Sequence, residues 1–121
     1  MRAQDVGRAG EALAREYLAS IGYEILGCNL RLGRGEIDIL ARDGDVLVVV
    51  EVKTRRSTAF GRPEEQLTAG KLRALRVLAT RVSATCPGAL VRVDVVAVMA
   101  DAAPSGSLDG AAISHLRDVV T

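Results

Sequence analysis

Residues 35–53 read GEIDILARDGDVLVVVEVK. Two runs rich in Ile, Leu and Val flank Asp43-Gly44, a strong short-range signal for a two-residue type I′ hairpin turn. With Asp43 and Gly44 as its central residues, Arg42 faces Asp45, and pairing continues as Leu40–Leu47, Asp38–Val49 and Glu36–Glu51. Side chains alternate between faces along a strand. One face then carries Ile37, Ile39, Val48, Val50 and Val52, an apolar set suited to a core. The other carries Glu36, Asp38, Val49, Glu51 and Lys53. An odd loop length would put Asp38 and Glu51 on opposite faces, so the register decides the reading.

On that register Asp38 is diagonal to Glu51, with backbones ~7–8 Å apart, close enough for both side chains to reach one cation. Glu36 directly opposite Glu51 is a like-charge pair that destabilises a hairpin. Either Lys53, Arg55 or Arg56 compensates it by salt bridges, or a divalent cation does. Hard oxygen ligands suit Mg²⁺, with Mn²⁺ a possible substitute. One or two carboxylates, the Val52 backbone carbonyl and waters would complete the octahedron. The chain has no Cys/His set spaced for zinc, and its single histidine, His115, stands alone.

The surrounding sequence is that of one soluble globular domain spanning residues 1–121, with 49% hydrophobic and 26% charged residues. The longest strictly apolar run, Val46 to Val50, is far shorter than the ~20 residues of a membrane span. The charged N-terminal stretch lacks a signal-peptide apolar region, so a cytoplasmic location and no membrane partner are expected. Cys28 and Cys86 read as buried small hydrophobes of a reducing compartment. Net charge is +1, but it is unevenly spread: −3 over residues 1–52, +6 over 53–81 and −2 over the remainder. The positive excess begins at Lys53, where the acidic hairpin ends. That arrangement suits a polyanion held by cations beside a metal centre, although each Arg is almost as readily a solvated helix residue. With only two Tyr and one Phe, no stacking platform for single-stranded bases is available.

Periodicity supplies the rest of the fold. Residues 2–21 form an amphipathic helix with Val6, Gly10, Leu13, Ala14, Tyr17, Leu18 and Ile21 inward, ended by Gly22. Glu11 falls at the border of its apolar arc, either as a solvated edge residue or leaning toward the hairpin. A strand over 23–30, a loop over 31–35 and the hairpin follow. Beyond it, Pro63 with Glu64 and Glu65 suits a helix opening or short 3₁₀ turn. A second helix runs from Thr68 to Val82, with Leu72, Leu75, Leu78, Ala79 and Val82 apolar and Lys71, Arg73, Arg76 and Arg81 on its other face. A strand over 89–99 is apolar enough to be covered on both sides. Residues 100–110 read as a mobile loop, and 112–116 as a last short strand. The order α-β-β-β-α-β-β predicts an α/β fold, a single mixed sheet flanked by helices.

An acid, a hairpin and then Glu-Val-Lys at the end of a Val-rich strand resembles the PD-(D/E)xK, restriction-endonuclease-like superfamily. GEIDILARDGDVLVVVEVKTR, GRAGEALAREYL, FGRPEEQLTAGK and VRVDVVAV together resemble the YraN family of small bacterial proteins, grouped as predicted endonucleases. The resemblance implies Asp38 and Glu51 as metal ligands, Lys53 as the catalytic lysine and Glu11 as an added helix carboxylate of the site. It also covers Glu36, without implying a role for it. Val93 replaces the family's usual Phe, a packing change, and Gln66 stands where a small residue is common and receives no role. The expectation is a Mg²⁺-dependent nuclease acting on nucleic acid, with structured or branched DNA as substrate and a homodimer as one possible assembly. Arg34, Arg55, Arg56, Lys71 and Arg76 are its candidate phosphate contacts. The alternative is a nucleic-acid-binding accessory protein that keeps the fold without cutting.

Overall fold

The computed structural model describes residues 3–55, 67–99 and 111–120. Its elements are α1 (Ala3–Ser20), β1 (Glu24–Leu32), β2 (Gly35–Asp43), β3 (Val46–Arg55), α2 (Ala69–Thr85), β4 (Leu90–Met99) and β5 (Ala112–Leu116). The expectations for Arg56, for Pro63 to Glu65, for Gln66 and for the loop at 100–110 lie outside the described residues.

One five-stranded sheet is ordered β1-β2-β3-β4-β5. The β3–β4 pair is parallel and the other three are antiparallel, so the sheet is mixed as the element order predicts. Helix α2 makes the crossover that parallel neighbours require. Strand β3 is central and buried on both faces, which explains a Val run too continuous for one-sided alternation. Ile39, Ala41, Val48, Val50, Val96 and Val98 pack with Ala14 and Leu18 of α1. Ile37, Leu47, Val49 and Val93 pack with Leu75, Leu78 and Val82 of α2. Cys28 is half-buried against the α1-side core and Cys86 is exposed where it caps the end of α2, so neither cysteine is the buried hydrophobe expected.

The hairpin differs from its sequence reading by two residues. The ladder runs Ile39↔Val50, Leu40↔Val49, Ala41↔Val48, Arg42↔Leu47 and Asp43↔Val46, leaving Gly44 and Asp45 as the turn. Gly44 has φ 59 and Asp45 is not left-handed, the pattern of a type II′ turn with Gly first. Asp43 is held in the strand by Arg92 of β4, whose Nη2 lies 2.9 Å from Asp43 Oδ2. A two-residue shift preserves parity, so Asp38 and Glu51 remain usable together. The expected Arg42–Asp45, Leu40–Leu47, Asp38–Val49 and Glu36–Glu51 pairings do not form.

The apolar face is also corrected at one position. Ile37 packs on the α2 side while Ile39, two residues on, packs on the α1 side. The change of face coincides with Asn29 of the neighbouring β1, which takes φ 53 between the Cys28↔Ile39 and Leu30↔Ile37 pairs. Asp38 sits at this switch.

Gly10 brings α1 against the end of β3. A Cβ built there would lie 1.9 Å from Thr54 Oγ1 and 2.8 Å from Thr54 Cβ, whereas one at Gly7 would meet nothing within 4 Å. Helix propensity alone favours Ala over Gly by about 1 kcal/mol at either site. Gly7→Ala is therefore expected to stabilise, and Gly10→Ala to destabilise by about 1–3 kcal/mol through overpacking. Urea midpoints at unchanged m-value read the two signs directly.

Candidate active site

The site forms where β2 and β3 part. Their ladder ends at Ile39↔Val50, while β3 continues beside β4 to Arg55↔Met99. Past that point the Val52 N–H no longer meets a β2 carbonyl and instead donates to Asp38 Oδ2 at 2.9 Å. In a strand the N–H and C=O of one residue point to the same side, so the Val52 carbonyl also faces the gap. Glu51 lies on the α2 side, two residues beyond Val49, and is buried at 6% exposure.

Two lysines converge on Glu51. Lys71 Nζ lies 3.0 Å, and Lys53 Nζ 3.7 Å, from Glu51 Oε1. Lys71 is aimed there by the first turn of α2, where Thr68 is the N-cap and its Oγ1 accepts from the Lys71 N–H at 3.0 Å. The sequence expectation of a phosphate contact did not anticipate this partner. The sign was available only as a lysine in the first turn of a predicted helix, with nothing to say which carboxylate it would meet.

Glu11 and Glu36 join from the α1 side. With its amide nitrogen turned toward them, Asn29 donates to Glu11 Oε2 and to Glu36 Oε1, each at 3.2 Å. Glu36 is thus drawn to Glu11 and away from the Glu51–Lys53 side, which resolves the like-charge clash implied by the type I′ register. The left-handed Asn29 that places this amide was not legible as a functional position in the sequence.

Burial, then the charge of Glu51, and further the charge of Glu11, raise the Asp38 carboxyl to about 7 from an ordinary 3.8; the Val52 N–H and Lys71 oppose them. A carboxyl raised in the folded state binds its proton more tightly folded than unfolded between pH 4 and 7. Stability therefore falls as pH climbs through that window. Asp38→Asn, which keeps an acceptor for Val52, is expected to be more stable than wild type at pH 8 by on the order of 2–4 kcal/mol, with the difference vanishing near pH 4. Thermal unfolding at the two pH values measures it, and an equal Tm at pH 8 would show that Asp38 is not held against its charge.

The donor set fits a hard divalent cation. Two carboxylates and a backbone carbonyl face one gap, and one of the carboxylates is disfavoured in its charged form by burial and by the charge of the other. Among the described residues no group of three or more His, Cys, Asp and Glu side chains forms a metal cage, so waters or substrate oxygens would complete the coordination, as Mg²⁺ accepts.

The remaining candidates divide. Arg34 follows Gly33 in the β1–β2 turn, at the Glu36 end of β2. Arg55 ends β3, two residues beyond Lys53, and its Nη1 donates to the Thr54 carbonyl at 3.1 Å. Arg76 lines a groove with Thr80, Ser83 and Leu90. An apolar cavity of about 450 Å³, lined by Leu26, Leu30, Leu32, Leu40 and Leu47, runs toward the hairpin tip and includes none of Asp38, Glu51 and Lys53.

A second polar cluster lies under α1, and sequence reading missed it. Asp94 of β4 is fully buried. Its Oδ2 accepts from Tyr23 Oη at 3.0 Å and pairs with His115 Nε2 at 2.8 Å; its Oδ1 accepts from Arg92 Nε at 3.0 Å and the Asp118 N–H at 3.1 Å. Arg92 Nη2 also bonds Tyr23 Oη, and Tyr17 Oη lies 3.0 Å from His115 Nδ1. His115, the chain's single histidine, is thus tied into this cluster through both ring nitrogens. Burial, then Asp94, push the Tyr23 hydroxyl up to about 12.

Residues 10–98 match the family model described as Uncharacterised protein family UPF0102. A UPF0102 protein of Arthrobacter sp. (strain FB24) is 47% identical over 125 residues, covering 98% of this chain and 99% of the relative. One from Beutenbergia cavernae is 46% identical over 122 residues, covering 98% and 99%. One from Streptomyces coelicolor is 52% identical over 98 residues, covering 78% and 75%. Among solved structures, a chain of the EndoMS–dsDNA2 complex aligns with a TM-score of 0.48 and 23% identity, over 70% of this chain and 34% of that one.

Proposed function

This chain belongs to the uncharacterised protein family UPF0102, the YraN family its motifs resemble, and we propose that it is a metal-dependent nuclease hydrolysing phosphodiester bonds of structured or branched DNA. The observation that carries the reading is Asp38 on the Val52 N–H, in a gap it shares with Glu51. An ordinary hairpin has no use for two desolvated carboxylates at the point where its strands separate.

Phosphodiester hydrolysis needs an activated water, an in-line approach and neutralisation of charge on the phosphorane and leaving oxygen. A bound Mg²⁺ or Mn²⁺ would supply Lewis acidity toward the phosphoryl oxygen and lower the pKa of water. Asp38, Glu51 and the Val52 carbonyl would hold it. Lys53, with its ammonium beside Glu51 and its side chain partly exposed, donates to the attacking water and to the negative charge that grows in the transition state. Glu11 acts on the set through its charge on Asp38. Arg34 and Arg55 flank the gap as phosphate contacts, while Arg76 would touch only a substrate that extends along α2. One such site cuts one strand, so symmetric cutting of a duplex requires a two-fold pair of subunits.

One observation favours a non-catalytic nucleic-acid-binding reading: Glu51 already carries two lysine partners, as a purely salt-bridged cluster would. A cleavage panel of branched, nicked, duplex and single-stranded DNA and structured RNA in Mg²⁺ and Mn²⁺ separates the two. Titration of Mn²⁺ into wild type and Asp38→Asn accompanies it. Metal-dependent cleavage with metal binding lost in Asp38→Asn supports the nuclease. Salt-dependent DNA binding indifferent to chelator, with no cleavage, overturns it.

A further inference from the structure

Lys71 occupies a position that the nuclease reading leaves unexplained. Its Nζ is 3.0 Å from Glu51 Oε1, the same oxygen that Lys53 approaches at 3.7 Å. The partners are unequally free: the Glu51 side chain is 8% exposed, whereas that of Lys71 is 38% exposed and extends from the first turn of α2. The ammonium can swing out toward a ligand, but the carboxylate cannot follow it.

A divalent cation on Glu51 gives it a reason to do so, because it repels an ammonium held on the same oxygen. Lys71 and the cation are alternatives at Glu51. A lysine displaced there becomes a free donor, on a flexible four-carbon stem, at the mouth of a site built for phosphate.

Resting on the nuclease reading, we propose that Lys71 is an exchangeable counter-cation. It neutralises Glu51 in the metal-free protein and transfers to a phosphate oxygen of bound nucleic acid when Glu51 takes a divalent cation. The exchange couples metal binding to substrate binding through one side chain. Metal frees the phosphate contact, and a phosphate that holds Lys71 clears Glu51 for metal, as reciprocity requires.

The test compares Lys71→Met with Arg73→Met, which removes one charge from the same helix without touching Glu51. Mn²⁺ is titrated into each without DNA. Lys71→Met is expected to bind Mn²⁺ about tenfold more tightly, having lost the competitor, with Arg73→Met nearly unchanged. Affinity for a branched DNA is then measured against salt, with Ca²⁺ in place of Mg²⁺ and again in chelator. The slope of log K against log salt should fall by about one in Lys71→Met when Ca²⁺ is present and stay at the wild-type value in chelator. Weaker Mn²⁺ binding in Lys71→Met would mean that Lys71 only braces Glu51, and an equal slope change with and without metal would mean a permanent phosphate contact. Either result overturns the exchange while wild-type Mn²⁺ binding leaves the nuclease reading standing. Wild type that binds no Mn²⁺ overturns both.

Discussion

Glu51→Ala and Lys53→Ala are each expected to lower metal-dependent cleavage by ~10³-fold or more, a loss typical of removing a group that stabilises transition-state charge. The two losses have different origins. Glu51→Ala removes one of the two proposed carboxylate ligands and takes the carboxylate partner from Lys71, so Mn²⁺ affinity should fall with the rate. Lys53→Ala leaves Asp38, Glu51 and the Val52 carbonyl in place, so Mn²⁺ should still bind while the rate falls. Because both side chains act on one reacting centre, the double variant should be little worse than either single one. Calorimetry alongside single-turnover cleavage separates these outcomes. If both variants keep wild-type rates, the gap between β2 and β3 is not the catalytic centre.

Asp94→Ala should be the most damaging single change to stability, costing about 3–5 kcal/mol, because it strips the carboxylate from a buried ion pair and leaves its partners behind. Tyr23, His115, Arg92 and the Asp118 N–H all lose their acceptor at once. Arg92 retains Asp43, at the hairpin end, as its one carboxylate among the described residues, and Tyr23 Oη. The fall in Tm is on the order of 10–20 °C. The pH dependence carries a second signature. Burial alone would raise Asp94, but the hydrogen bonds from Arg92, His115 and the Asp118 N–H overcome it and hold the carboxyl below its ordinary 3.8. A group depressed in the folded state contributes stability that is present above its unfolded value and lost as pH falls through the folded one. Wild type should therefore lose this contribution below about pH 4. Asp94→Ala, lacking it already, should show a flatter acid limb in chemical denaturation. A Tm within a degree or two of wild type would show that the cluster is not a keystone of the fold.

Asp94 also shows why part of this protein was illegible in its sequence. In VRVDVVAV an Asp amid valines is conspicuous, and Arg92, two residues before it, is a local partner; the others are Tyr23 just before β1, His115 of β5 and the Asp118 N–H beyond β5. Nothing local links Tyr23 and His115 to Asp94. Their common neighbour exists only once the sheet has formed and α1 covers it. The site was more legible. Asp38, Glu51 and Lys53 lie within one hairpin, where alternation along a strand is enough to propose that they act together, and Glu11 sits at the border of a readable helical arc.

What the sequence determined by itself is the element order, the mixed sheet, the two amphipathic helices and the gathering of Asp38 with Glu51, since all of these follow from local periodicity. The turn register, the face of Ile37, the Asn29 link between Glu11 and Glu36, and the partner of Lys71 were decided only by tertiary structure. Asp-Gly and Gly-Asp are both competent hairpin turns, and residues 43–45 contain both. Arg92, arriving from a parallel strand, selects between them by holding Asp43 in the ladder. That choice moves the pairing by two residues, and β2 and β3 separate at Asp38. The carboxylates then face a gap where a continued ladder would have closed it.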